Sequence, residues 1–154
     1  MRIATWNVNS IRTRAEHVAA FLAEHAPDVL ALQEIKVTDD QFPAGRFAEA
    51  GYTATVFGQK TYNGVAFLSR EELGEPAEVA RGFPDDGADA PARLLAARFG
   101  PVRLINVYLP NGSEVGSEKY DYKLDWMRRL REYPDAGFAP AEPVVLVGDL
   151  EVAP

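Results

Sequence analysis

Cysteine is absent from the sequence. That excludes disulfides, thiolate metal sites and a cysteine nucleophile. The only histidines are His17 and His25, too few for a multi-histidine zinc centre. A metal bound here must be held by oxygen, which favours magnesium, manganese or calcium. No apolar run approaches the ~18 residues that cross a bilayer. The opening Met1-Arg2-Ile3-Ala4-Thr5-Trp6-Asn7 has no secretory pattern either. A soluble, cytoplasmic protein is expected, with no membrane partner. Basic residues are also in short supply: 16 Lys and Arg against 23 Asp and Glu give a net charge of −7. A non-specific coat for nucleic acid rewards the opposite balance, although a local basic rim is compatible with it.

What remains is an ordinary globular composition. The chain has 154 residues, 47% of them hydrophobic, enough for one domain that buries roughly 70% of its unfolded surface. There is no internal repeat, low-complexity stretch or second domain. Residues 2–9 read as a strand with Ile3, Trp6 and Val8 as burial points. Thr13 and Glu16 form a Thr-x-x-Glu capping box that opens a helix with Ala15, Val18, Phe21 and Leu22 on one face, and Pro27 stops it. Val29–Leu32 is a short continuous apolar run, the pattern of a strand buried on both faces. A helix start is expected at Thr38 and a short helix over 46–50, ended by Gly51.

Strands are expected near 53–58, 65–69, 78–83, 93–99 and 102–109, the last two joined at Gly100-Pro101. Tyr120, Leu124, Met127 and Leu130 sit at helical spacing within 117–132. A Pro/Ala/Gly-rich link over 134–143 then leads to a final strand, Val144–Val147. This is an α/β layout with more doubly apolar strands than its few helices can cover. One sheet face is therefore expected to be exposed and apolar, inviting a second chain.

Asn7, Glu34, Tyr108 and Asp149 fall at or just past the C-terminal ends of expected strands. In α/β sheets that edge is where ligands bind. Two carboxylates delivered to one rim by buried strands suit an oxygen-ligated cation, one holding the ion and the other orienting or deprotonating a water. Taken singly, each has an ordinary explanation. A strand-end carboxylate is more often solvated than catalytic, an asparagine forms turns, and a strand tyrosine packs. His17 and His25 read as solvated helix residues, and the 128–131 arginines as a solvated helix face.

The surrounding words carry more. In order they are Thr-Trp-Asn-Val-Asn-Ser-Ile-Arg (5–12), Leu-Gln-Glu-Ile-Lys (32–36), Tyr-Asn-Gly-Val-Ala (62–66), Asn-Val-Tyr-Leu-Pro-Asn-Gly (106–112), Ser-Glu-Lys-Tyr-Asp-Tyr-Lys-Leu (117–124) and Val-Gly-Asp-Leu-Glu-Val-Ala-Pro (147–154). Together they resemble the amino-terminal half of the exonuclease III family of abasic-site endonucleases. The resemblance implies half of a four-layered α/β sandwich of the DNase I-like endonuclease/exonuclease/phosphatase fold, a mixed sheet with helices on one face. Residues 1–154 would then be a single incomplete domain.

The resemblance also implies roles. Glu34 matches the family's metal-binding glutamate, and Asn7 an asparagine of the metal and carboxylate network. Tyr108 matches a tyrosine whose phenol lies against the scissile phosphate, and Asp149 the aspartate that orients or activates the attacking water. Arg12, Lys36 and Lys60 match loops that face DNA and are candidate phosphate contacts. The implied cofactor is Mg2+ or Mn2+. The implied substrate is DNA, cut 5′ to abasic sites or shortened from 3′ ends.

Two departures stand against full transfer. Glu151, counted here with the catalytic candidates, replaces the asparagine of the family's Gly-Asp-x-Asn word. A carboxylate cannot donate to a phosphate oxygen as an amide can. The family's second half, with a further metal-site aspartate and an Asp-His pair, has no counterpart in these 154 residues. The alternatives are an inactive fragment that binds DNA or a partner chain, and a phosphodiesterase with a small substrate.

Overall fold

The computed structural model describes residues 1–137 and 141–150, with side chains through residue 133 in its last helix. Two four-stranded sheets pack face to face. The first has the order β1-β2-β4-β3 and the second β5-β6-β7-β8. The strands are β1 (Ile3–Asn7), β2 (Val29–Gln33), β3 (Tyr52–Phe57), β4 (Val65–Arg70), β5 (Ala77–Arg81), β6 (Leu94–Phe99), β7 (Val102–Tyr108) and β8 (Val144–Asp149). Both sheets are mixed. β1 runs parallel to β2, and β8 parallel to β7, while the remaining pairs are antiparallel.

Strand periodicity sorts the side chains into three apolar layers. Between the sheets lie Val29 and Ala31 of β2, Val65 and Phe67 of β4, Leu95, Ala97 and Phe99 of β6, and Leu104 of β7. The alternate residues Leu30, Leu32, Ala66 and Leu68 face outward beneath α1 (Ile11–His25) and α2 (Ala44–Ala48). On the far side Leu94, Ala96, Ile105 and Val107 receive Trp126 and Leu130 of α3 (Glu118–Gly137). The result is four layers, helix–sheet–sheet–helix, with helices on one face of each sheet.

Among the described residues the expected exposed sheet face is not found, because the second face of each sheet packs against the other sheet. The sequence pattern counts the doubly buried strands correctly; taken by itself it suggests one sheet, and the four-layered sandwich that the resemblance implies is what forms. What stays open is an edge. Val144, Val145 and Leu146 of β8 are 36%, 37% and 46% exposed, and Leu150 beside them 44%.

Smaller corrections have local causes. α1 begins at Ile11, two residues before the expected capping box, and Ser10 precedes it at φ 141 with no side-chain cap. Thr13 instead donates back to the Ser10 carbonyl at 3.2 Å, and Glu16 is taken by Arg46 of α2 at 2.8 Å. The helix stops where expected: Ala26 turns left-handed and its N–H closes on the Leu22 carbonyl. The start expected at Thr38 is only a 3-10 turn, Asp39–Gln41, and α2 lies two residues earlier than expected. α3 continues to Gly137, five residues beyond Glu132 and through Pro134, the start of the expected link.

Candidate active site

The inner-face alternation that builds the core also delivers the polar groups. On β1, Ile3 packs between the sheets, so Thr5 and Asn7, at i+2 and i+4, face the same way. On β8, Val147 packs there, and Asp149 follows on the same face. β7 brings Tyr108 opposite Asp149 in register, and the Leu109 N–H bonds the Asp149 carbonyl at 3.0 Å. β8 can lie this close because residue 148 is glycine. A Cβ there would stand 2.0 Å from the Val107 carbonyl oxygen, and φ is +142.

Asn7 is the junction. Its Nδ2 donates to Glu34 Oε2 at 2.5 Å and to Asp149 Oδ2 at 2.7 Å. Its Oδ1 accepts the backbone N–H of Asn9 at 3.0 Å. The amide's orientation follows from this network, with acceptors on the nitrogen side and a donor on the oxygen side.

Glu34 reaches this point from a strained turn. Glu34 and Lys36 both adopt left-handed backbone, at φ 54 and 58, where a non-glycine residue costs roughly 1–2 kcal/mol. The turn is held by Ile35, which is fully buried and whose N–H bonds the Gly64 carbonyl at 3.2 Å. The Lys36 N–H bonds the Asn63 carbonyl at 3.0 Å. Gly64 has no substitute here, since a Cβ would lie 2.5 Å from Ile35 Cγ1. The Tyr-Asn-Gly word thus locks the Gln-Glu-Ile-Lys word.

Positive charge beside the carboxylates comes from Lys36, whose Nζ lies 3.8 Å from Glu34 Oε1 and donates a shorter hydrogen bond to Asn9 Oδ1 at 2.7 Å. Arg12 donates to Gln41 of the 3-10 turn. Lys60 is exposed in the loop between β3 and β4. Of the three expected phosphate contacts, Lys36 is therefore the one tied directly to the carboxylate rim. Glu151 lies outside the described residues. His17 lines an open groove of about 520 Å³ that also includes Asn7, Asn9 and Trp6.

Sequence reasoning passed over two participants. Asn9, within the Trp-Asn-Val-Asn word, links Asn7 to Lys36 from a left-handed position. Arg93 lays its guanidinium over the Tyr108 ring at 4.9 Å and donates to the Tyr108 carbonyl at 3.2 Å. Asn9 was legible as a turn-forming asparagine beside a candidate. Arg93 had no such signal, because its contact depends on the pairing of β6 with β7.

As a donor set, Glu34, Asp149 and the Asn7 amide are all oxygen and amide groups. Among the described residues, no group of three or more His, Cys, Asp or Glu side chains gathers for a metal. Oxygen donors of this kind suit a divalent cation that takes one or two protein carboxylates and completes its shell with water and phosphate. Also among the described residues, no helix is long and apolar enough to cross a membrane.

Comparison with known proteins agrees with this geometry. Residues 4–152 match the profile of the endonuclease/exonuclease/phosphatase family. Exodeoxyribonuclease III of Haemophilus influenzae is 34% identical, the match covering 100% of this chain and 58% of that protein. The DNA repair nuclease APEX1 of Danio rerio is 31% identical over 99% of this chain and 49% of its own length. An AP endonuclease structure from Archaeoglobus fulgidus superimposes with a TM-score of 0.91 at 41% identity, covering 100% of this chain and 58% of that one. A 3′-5′ exonuclease structure from Neisseria meningitidis gives 0.92 at 42% identity, covering 100% and 59%. The chain thus spans about half to three-fifths of the length of these relatives.

Proposed function

The chain belongs to the endonuclease/exonuclease/phosphatase family, and from that premise we propose that its rim of Asn7, Glu34, Tyr108 and Asp149 is part of the site of a DNA-repair phosphodiesterase. The reaction is that of exodeoxyribonuclease III and AP endonucleases: hydrolysis of DNA 5′ to an abasic site, and removal of nucleotides from 3′ ends. The observation that supports it most directly is the meeting of Glu34 and Asp149, from different sheets, on one Asn7 amide.

In this reading Glu34, with the Asn7 amide oxygen, would hold Mg2+ or Mn2+, which would neutralise charge on the phosphate oxygens. Asp149 orients the attacking water and takes its proton on a carboxylate oxygen. Asn7 keeps that carboxylate aimed by donating to it. Tyr108 lies beside the phosphate, and Lys36, with Arg12 and Lys60 further out, meets the flanking backbone charge.

The inactive-fragment reading is favoured by one observation, a glutamate at 151 where a donor to the developing phosphoryl charge is wanted. Loss of one such donor costs roughly 3 kcal/mol, about a hundredfold in rate.

The deciding experiment is a nicking assay on an abasic-site duplex with Mg2+. It uses this chain alone, this chain with a polypeptide covering the remaining length of a relative, and the same pair carrying Glu151→Asn. Nicking is expected in the supplemented reactions, most strongly with Glu151→Asn, and is expected to vanish with Glu34→Gln. Glu34-independent nicking, or none in any combination, would overturn the proposal.

A further inference from the structure

Directly behind the carboxylate rim, the apolar space between the sheets is interrupted by two buried amides. Gln33 of β2 is 1% exposed and Asn106 of β7 is 0% exposed. The Asn106 Nδ2 crosses from one sheet to the other, donating to the backbone carbonyls of Leu32 at 3.1 Å and Ala66 at 2.9 Å. Its Oδ1 accepts from Gln33 Nε2 at 2.9 Å. Gln33 Nε2 also reaches Thr5 Oγ1 of β1 at 2.9 Å. Strands β1, β2, β4 and β7 are therefore joined by directional bonds inside an otherwise apolar inter-sheet core. Further cross-sheet side-chain bonds lie at its margins, from Asn7 to Asp149 and from Arg81 to the Val56 carbonyl.

Apolar contact is non-directional and resists sliding of one sheet over the other only weakly. Hydrogen bonds with both amide hydrogens committed fix separation and slide together. Their location matters: Gln33 immediately precedes Glu34, and Asn106 lies two residues before Tyr108 on the same strand face. Glu34 belongs to one sheet and Asp149 to the other, and two carboxylates brought to one amide repel each other. Something must hold the sheets against that repulsion.

We propose that Gln33 and Asn106 are positioning residues, an inter-sheet clamp that sets the gap between Glu34 and Asp149 and so the capacity of the rim for a divalent cation. The proposal rests on the reading above that Glu34, with Asn7, would hold such a cation beside Asp149. It adds that the gap is set by groups that touch neither cation nor substrate.

The test is Mn2+ affinity, followed by water-proton relaxation, together with thermal unfolding. It compares Gln33→Met, Asn106→Ser and Phe99→Leu, with Glu34→Gln as the site control. Phe99 is an inner-face residue at the Gly100-Pro101 end of the sandwich, paired with Val102 and remote in register from Tyr108. Gln33→Met keeps the side chain's length and carries the comparison if Asn106→Ser does not fold. The clamp predicts roughly tenfold or greater loss of Mn2+ affinity for the amide variants, the range seen for partners that orient metal ligands. Phe99→Leu should lower the melting temperature but leave Mn2+ affinity unchanged. Amide variants that melt earlier yet bind Mn2+ like the parent would overturn the clamp alone. A parent chain without Glu34-dependent Mn2+ binding would overturn the metal reading, and the clamp with it.

Discussion

Asn7 and Asp149 lie 142 positions apart in sequence and meet at 2.7 Å across the mouth of the sandwich. One is the last residue of an edge strand in the first sheet, the other the last residue of an edge strand in the second. The same Asn7 nitrogen serves Glu34, so a neutral amide links two carboxylates whose mutual repulsion would otherwise separate them. Hydrogen bonds to charged acceptors contribute roughly 1.5–3 kcal/mol each when sheltered. This group is only half-buried, so Asn7→Ala is expected to cost about 2 kcal/mol in total. Urea unfolding at pH 7 measures it directly, and a midpoint equal to the parent's would show that the amide does not hold the two sheets together here.

Acid sensitivity should arise at the carboxylates paired with Arg103 and Arg129. Arg103, 8% exposed on β7, is held by Glu78 and Glu142, and its hydrogen bond keeps the Glu78 carboxyl below its usual 4.5. Asp85 is lowered from 3.8 in the same way by Arg129. For a carboxyl with a depressed folded-state pKa, the stabilisation is complete above the unfolded value and is lost as pH falls through the folded one. Stability should therefore be flat with respect to these groups from neutrality to about pH 4.5 and decline below it. Glu78→Gln should lower stability at pH 7 and shallow the decline, converging with the parent at the acid end. Parallel curves for the two proteins between pH 7 and 3 would contradict this assignment.

Much of this architecture was legible residue by residue. The all-apolar run at 29–32 announced a strand buried on both faces, and β2 is buried throughout. Gly100-Pro101 announced the β6–β7 hairpin, which closes with Phe99 opposite Val102. Strand ends located the rim, because carboxylates placed just beyond apolar runs have nowhere else to go. What escaped were properties of pairings between distant segments. Nothing local in Val-Leu-Ala-Leu-Gln says that its buried face meets a second sheet rather than a helix, so one exposed face was expected where two sheets cover each other. Gln33 and Asn106 look like interior polar misfits until they are seen to satisfy one another. The Thr13–Glu16 capping pattern misled because Glu16 has a stronger partner in Arg46, which tertiary folding brings to it.

The open edge of β8 has its own consequence. Val144, Val145 and Leu146 are all more than a third exposed, on a strand paired only to β7 among the described residues. Unpaired apolar edges template association between chains, and natural sheets blunt them with lysine. Leu146→Lys should shift this chain toward monomer in sedimentation velocity, with a melting temperature within a few degrees of the parent's, since little burial is lost. If the parent already sediments as a clean monomer at high concentration, the edge is not sticky and the substitution will have nothing to correct.

The orientation of Tyr108 should depend on Arg93. The Arg93 guanidinium stacks on the Tyr108 ring and donates to the Tyr108 carbonyl, while the Arg93 backbone carbonyl accepts the Tyr108 N–H at 2.8 Å. The Arg93 Nε is buried without a hydrogen-bond partner, so the stack and the single carbonyl bond, rather than a full fork of donors, hold the guanidinium in place. A planar cation over an aromatic face contributes roughly 0.5–2 kcal/mol, depending on how far it is desolvated. Lysine keeps the charge but has neither the plane nor the fork. Arg93→Lys should therefore cost about 1 kcal/mol in stability, and it should move the ring-proton resonances of Tyr108 while leaving those of Tyr52, bonded to the Pro27 carbonyl at 2.6 Å, where they were. The backbone pairing of residues 93 and 108 does not use the side chain, so β6 and β7 should keep their register. Unmoved Tyr108 resonances in a folded Arg93→Lys protein would show that strand pairing alone orients the ring.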